Sequence, residues 1–312
     1  MAKFQLDNVE IDTFQLINSE NKSVNIEPIT AEFVITENLN LMGTVIDIII
    51  TDSLDLRTTF PIVGDELIDV VFKTNQSEYD FKKIHYLFKI VSMTRYDRDL
   101  RNQTYVLRGV TFEVINNLQK SVNQSYTKLT IDKIVKGIFE SYIKVPSVIN
   151  GFAATKYPNK EIVTLEKTLE EKSYVFPGMD PFKVIRFLCN EAQIHPSKDS
   201  SLGNNFLFYL DRKGWHFTTK DLLMKKEPVF KFGFADKTLE LGNDGPKELK
   251  FDPYETILEI NSTKTFDDIS GIESGVFNYL IETIDPITKQ FSEDFFVYRD
   301  QKKNFTHSEL EG

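Results

Sequence analysis

The sequence predicts an α+β fold that is mostly β, with strands at both ends of the chain and helices between them. Three observations lead there. The 312 residues include 26 Phe and 12 Tyr against one Trp, and Phe and Tyr favour half-buried strands. The hydrophobic period is two over roughly the first 115 residues, becomes helical between Phe112 and Pro196, and then returns to two. Short strand-like runs alternate with Gly, Pro, Asn and Asp turns, the pattern of a small barrel or sandwich.

Val24 to Ile29 and Ala31 to Thr36 read as short extended segments around Pro28. Leu41 to Thr51 is rich in β-branched residues, with Thr44, Ile46, Ile48 and Ile50 on one face and Val45, Asp47 and Ile49 on the other. Asp52-Ser53 breaks this strand. Pro61-Ile62-Val63-Gly64 turns into a strand from Asp65 to Phe72, and Phe81 to Met93 and Thr104 to Val110 continue the pattern.

Thr130 to Ile143 changes period: Ile131, Ile134, Val135, Ile138, Phe139 and Tyr142 share one helical face. Thr130 is its expected N-cap, and Pro146 lies past its end. A second helix is expected from Pro181 to Ala192, capped by Asp180, with Phe182, Ile185, Leu188, Cys189 and Ala192 inward. Strands then return as a hairpin, Phe206 to Leu210 and Trp215 to Phe217 around Asp211-Arg212-Lys213-Gly214. A helical turn at Thr219 to Leu223 follows. Phe230 to Phe234 and Glu248 to Phe251 flank a turn at Gly242 to Pro246. Ile257 to Asn261, Phe277 to Thr283 and Phe291 to Tyr298 close the pattern, the last two joined at Asp285 to Lys289.

Composition narrows function. The length suggests two or three domains. A net charge of −10 disfavours nonspecific binding to phosphate backbones, and Lys302-Lys303 is too short a basic run to reverse that. No apolar run approaches a membrane span and the N-terminus does not resemble a targeting signal, so synthesis in a reducing cytoplasm without membrane insertion is expected. The single cysteine, Cys189, lies in an apolar helix face and reads as a small buried hydrophobe.

Motifs for chemistry are missing. There is no GxGxxG or GxxxxGK[ST] loop, and Gly271-Ile272-Glu273-Ser274-Gly275 has the wrong spacing for a nucleophile elbow. His85, His195, His216 and His307 form no HxxxH or HExxH pair. The acids Asp65-Glu66, Asp267-Asp268 and Asp97 with Asp99 are turn charges, and Asn243-Asp244-Gly245 is a turn rather than a calcium loop. The expectation is a non-enzyme with no catalytic, cofactor-binding or metal residues and no cofactor.

Several segments, in order, resemble the hub subunit of contractile-tailed phage baseplates, the T4-type baseplate hub family. The resemblance begins at FVITENLNLMGTVIDIIITDSLDLRTTFPIVGDELIDVVF, Phe33 to Phe72, where Pro61-Ile62-Val63-Gly64-Asp65-Glu66 carries the family's P-I-x-G-D-E turn. It continues through TYVLRGVTFEVINNLQKSVNQSY, with Glu113, Asn116, Asn117 and Ser121 in place, and through the Ile131 to Ile143 helix. Pro177-Gly178-Met179-Asp180-Pro181-Phe182, the hairpin FLFYLDRKGWHFTTKDLL and GVFNYLIETIDPITKQF complete the series. The chain is shorter than the large T4-type hub and stops soon after the last strands.

This resemblance implies two small antiparallel β-barrel domains joined by an α/β middle region: a tube-attachment-like barrel at 1–115, the middle at 116–200, and a second barrel region with a hairpin insertion at 201–312. It implies a homotrimeric ring in the virion's tail baseplate, a symmetry adaptor between the sixfold tail tube and the threefold central spike trimer, with baseplate wedge and tape-measure proteins as further partners. A related tail-tip or contractile-injection hub is the alternative. A virion glycan-binding barrel and a hydrolase with a scattered site come after it.

Overall fold

The computed structural model describes residues 9–53, 55–74, 83–98, 103–146, 160–195, 204–227, 233–234, 239–242, 245–248, 256–257, 259, 269, 272 and 278–297. The chain divides into two compact units, 1–197 with 204–220, and 198–203 with 221–312.

The first unit opens with seven strands: β1 (Val9–Ile17), β2 (Ser23–Asn25), β3 (Thr30–Thr36), β4 (Val45–Asp52), β5 (Leu67–Thr74), β6 (Ile84–Arg98) and β7 (Gln103–Thr111). They form one antiparallel sheet in the order β2-β1-β5-β6-β7-β4-β3. β4 shows why. Its β-branched residues suit a pleated surface, and the even positions Ile46, Ile48 and Ile50 are fully buried while Asp47 and Ile49 face outward. Each fully buried side chain of this kind contributes about 1.5–3 kcal/mol.

The sheet curls onto its own inner face. β6 slips register against β7 between Ile90 and Ser92 and again between Thr94 and Asp97. Such bulges bend a strand and tighten its twist. The curl brings Phe14 of β1 within 5.1 Å, ring to ring, of Phe33 on the terminal strand β3, and Phe33 also meets Phe72 of β5 at 6.2 Å. The end strands β2 and β3 are not bonded to each other, so the sheet is a half-barrel rather than a closed one. Gly109 of β7 permits the tight centre: a Cβ there would lie 2.9 Å from side-chain atoms of Ile46 and Phe88.

Three local differences from the sequence reading have local causes. Glu27–Ile29 is a 3₁₀ turn and not a strand, because Pro28 favours the first turn and Asn25 Oδ1 accepts the Glu27 N–H at 2.9 Å. After β4, Asp52 Oδ2 accepts the Leu56 N–H at 2.7 Å and starts a short helix, α1 (Leu56–Thr59). The strand expected from Asp65 begins at Leu67, because Glu66 is buried and holds the preceding turn. Its two carboxylate oxygens accept the N–H groups of Val63 and Gly64, each at 2.9 Å, and Gly64 adopts φ 93°.

The middle of the chain contains α2 (Phe112–Gln119), β8 (Val122–Thr130), α3 (Ile131–Ile138) running on as a π-helical turn (Phe139–Ile143), β9 (Ile162–Leu165), β10 (Glu171–Met179) and α4 (Pro181–Glu191). The hairpin β11 (Phe206–Asp211) and β12 (Gly214–Thr219) packs into the same core. Ile134, Ile138 and Phe139 meet Ile185 and Leu188 there, together with Phe208, Trp215 and Phe217. Both predicted helical stripes thus face inward. β8 and β10 pair antiparallel within a stretch whose hydrophobic period is helical, in keeping with an α/β middle region. On β8 only Val122 and Tyr126 are buried, four residues apart, so its sequence carries no strand period. A small cluster of Ile17, Leu67 and Leu87 with Val145 joins the half-barrel to this region.

Thr130 and Asp180 occupy the expected N-cap positions of α3 and α4, but neither side chain makes the capping bond. The Thr130 hydroxyl is buried without a partner. Thr168 Oγ1 instead accepts the Asp132 N–H at 3.2 Å. Asp180 makes no capping bond to α4 and pairs with Lys183 at 2.6 Å, while Asn117 Oδ1, on α2, accepts the Phe182 N–H at 2.7 Å. The caps come from residues distant in sequence, which no local pattern announces.

A short helix, α5 (Lys220–Met224), follows the hairpin. In the second unit β13 (Gly233–Phe234) pairs parallel with β16 (Thr256–Ile257), β14 (Leu239–Gly242) pairs with β15 (Gly245–Glu248), and β17 (Asn278–Asp285) pairs with β18 (Gln290–Val297). Much of the second barrel region, including the expected strand residues Phe230 to Phe232 and Phe251, lies outside the described residues.

Candidate interaction surfaces

The residues weighed for chemistry in the sequence are placed apart. Cys189 is on the buried face of α4, and burial pushes its thiol up to about 12. His85 Nε2 lies 2.7 Å from Asp69 on the neighbouring strand β5. His195 is exposed, with its backbone N–H donated to the Lys167 carbonyl at 3.2 Å. Of the acidic pairs, Asp65 reaches out to Lys89 at 3.0 Å while Glu66 turns inward. Trp215 is fully buried and stacked on Phe208 at 4.8 Å, so it offers no face to a sugar. His307, Asp99, Asp267-Asp268, Asn243-Asp244 and most of Gly271 to Gly275 lie outside the described residues. Among the described residues no three His, Cys, Asp or Glu side chains gather as metal ligands, and no helix is long and apolar enough to cross a membrane.

A polar cluster lies where the half-barrel meets the middle region. The Tyr86 hydroxyl donates to Glu37, and burial, followed by that carboxylate, pushes the phenol's pKa up. Lys160 Nζ sits 5.0 Å above the Tyr86 ring and donates to the Arg212 carbonyl at 2.6 Å. Burial depresses the Lys160 ammonium against the pull of Glu37, Asp211 and Glu113. Next along, His216 Nδ1 bonds Thr164 Oγ1 at 2.9 Å, and its Nε2 lies 3.1 Å from Asp211 without the alignment of a hydrogen bond. Burial works to raise Asp211, but the His216 ring and the N–H groups of Lys213 and Gly214 outweigh it and hold the carboxyl low. Every polar group in this cluster faces another group of the same chain, which makes it a joint between two parts of the first unit.

Two surfaces present exposed side chains among the described residues. One is the outer face of the half-barrel over β3, β4, β7 and β6. A shallow groove of about 390 Å³ there is lined by Glu32, Val34, Asp47, Ile49, Val106 and Arg108, among others. Arg108 grips Asp47 through two bonds, Nε at 2.7 Å and Nη2 at 3.0 Å. Beside it β3 is a terminal strand, with one row of its backbone groups unpaired in the sheet.

The other is the β17–β18 hairpin. Leu280 faces Phe295, Glu282 faces Glu293, and Ile284 faces Phe291. Alternation puts all six side chains on one face, and all six are exposed, Ile284 at 70% and Phe295 at 68%. The Asp285 carboxylate fixes the loop by accepting the Ile287 and Thr288 N–H groups and the Thr288 hydroxyl, which together hold its own pKa down. The sequence marks these as strands. It does not mark them as exposed, because apolar alternation looks the same whether its face is covered within the chain or left open.

No protein-family model and no curated protein matches the chain. Among solved structures, the 43 kDa tail protein of prophage MuSo2 from Shewanella oneidensis shares 12% identity at TM-score 0.44, covering 72% of this chain and 57% of that one. A tail protein from Neisseria meningitidis MC58 shares 11% at TM-score 0.41, covering 70% of this chain and 54% of that one. An E. coli component of the type VI secretion system, reported as structurally similar to T4 bacteriophage tail proteins, shares 13% at TM-score 0.31, covering 69% and 46%. The chain therefore spans just over half the length of the first two.

Proposed function

We propose that the chain is a structural subunit of a phage tail, the hub of its baseplate. In this reading three copies form a ring that adapts the sixfold tail tube on one side to the threefold central spike on the other, and the half-barrel within residues 1–115 faces the tube. The ordered sequence resemblance from Phe33 onward supports it. The observation that carries it is the pairing of a curled half-barrel, whose end strands β2 and β3 leave its seam open, with a hairpin whose apolar face is uncovered. Unsealed strand edges and exposed apolar faces are aggregation hazards in a monomer and contact surfaces in an assembly. The inward-facing polar cluster at Tyr86 and Lys160 reads as a structural joint in the same scheme.

Light scattering on the purified chain, alone and with its spike protein, tests this reading. A threefold mass and a threefold ring in electron micrographs are expected. A stable monomer under both conditions overturns it.

A further inference from the structure

We propose that copies of this chain associate head to tail, with the β17–β18 hairpin of one copy seated on the Arg186–Phe187 patch of α4 in the next. The inference rests on the ring reading above and names one contact that would build it.

The hairpin needs a partner on two grounds. Among the described residues β17 and β18 pair only with each other, and a two-stranded sheet with both faces wet is at best marginally stable. Glu282 and Glu293 also stand directly opposite each other on the Leu280, Ile284, Phe291 and Phe295 face, and like charges so placed destabilise a strand pair. A cation set between the two glutamates removes that repulsion, and apolar contact on either side covers the flanking residues. Two hairpins meeting by this same face would bring four glutamates together, so the partner surface must differ from it.

The chain carries a surface of the opposite character. On α4, Phe187 is exposed, and its ring is braced by Tyr174 at 5.8 Å and Phe176 at 6.2 Å. Beside it Arg186 is exposed and forms no ion pair with any described carboxylate. The neighbouring Lys183 and Lys172 are already paired, with Asp180 at 2.6 Å and Glu191 at 3.6 Å. A guanidinium presents five donors in a fixed fork and can serve two carboxylates at once. Because the two surfaces differ, each copy keeps one of each free for its neighbours, and such a contact propagates until the ring closes.

Charge exchange tests the contact by light scattering at micromolar concentration, with circular dichroism to confirm that each variant folds. Glu282→Lys with Glu293→Lys is expected to move the wild-type oligomer to monomer mass, and Arg186→Glu alone to do the same. Combining all three substitutions is expected to restore association. If the wild type forms a ring and both reversals leave it intact, the contact is wrong while the ring reading stands. If each reversal breaks the oligomer but the combination stays monomeric, the two surfaces do not meet. A wild type that is monomeric alone and with the spike overturns the contact and the ring reading together.

Discussion

Thr168 and Asp132 cap each other. Asp132 Oδ1 accepts the Thr168 hydroxyl at 2.8 Å and its N–H at 3.3 Å, and Thr168 Oγ1 accepts the Asp132 N–H at 3.2 Å. Both residues are buried, and 36 residues separate them. The pair fixes the start of α3 against the segment that leads into β10. Removing either side chain is expected to lower stability by about 1–3 kcal/mol, because it leaves a buried polar group unsatisfied. In a double-mutant cycle followed by urea denaturation, Thr168→Ala and Asp132→Ala should be strongly non-additive.

The caps of α3 and α4 lie outside the positions that local sequence favours. Asn117→Ala should cost about 1 kcal/mol through loss of the bond to Phe182. Asp180→Ala, at the nominal cap, should cost less, since its carboxylate makes no capping bond. Chemical denaturation midpoints of the two variants decide the order, and the reverse order would refute capping by Asn117.

Gly109 sits on β7 against side chains of the half-barrel's other strands. A Cβ would meet Ile46 and Phe88 at 2.9 Å and Ile68 at 3.0 Å. Gly109→Val should therefore destabilise the chain by about 1–3 kcal/mol through overpacking. Thermal unfolding followed by circular dichroism reads this directly, and an unchanged midpoint would show that the centre is looser than described.

Asp211 gives a pH dependence with a definite sign. Its folded-state pKa is lowered from the ordinary 3.8, so its contribution to stability is present above that value and is lost as pH falls through the folded pKa. Asp211→Asn keeps a side-chain oxygen for the turn but cannot titrate. The variant's stability should change less than the wild type's between about pH 5 and pH 2. Parallel acid titrations monitored by Trp215 fluorescence measure the difference.

Cys189 should resist thiol reagents in the folded protein at neutral pH. Its thiol is buried, and burial raises its pKa to about 12, so little thiolate forms. Labelling with a maleimide should be slow in buffer and rapid in denaturant, and fast native labelling would place the thiol at the surface.

A hydrophobic period in the sequence is enough to mark β4 as a strand and α3 and α4 as helices, but it left β1 unmarked although Phe14 and Leu16 are buried there. The alternation of Ile46, Ile48 and Ile50 and the helical spacing of Ile131, Ile134 and Ile138 each follow from a single period, and the observed burial matches both. The β11–β12 hairpin was legible from its turn, supplied by Asp211 and Gly214, although β12 is buried on both faces and carries no alternation. β8 was not legible, since its strand character comes from pairing with β10 and its own residues are mostly exposed. Tertiary structure alone decided that the half-barrel stays open between β2 and β3, that Thr168 and Asn117 cap helices far from them in the chain, and that the Leu280 to Phe295 face is left uncovered. These are contacts between distant segments, or the lack of them, and a local period records only that a face is apolar, not what comes to cover it.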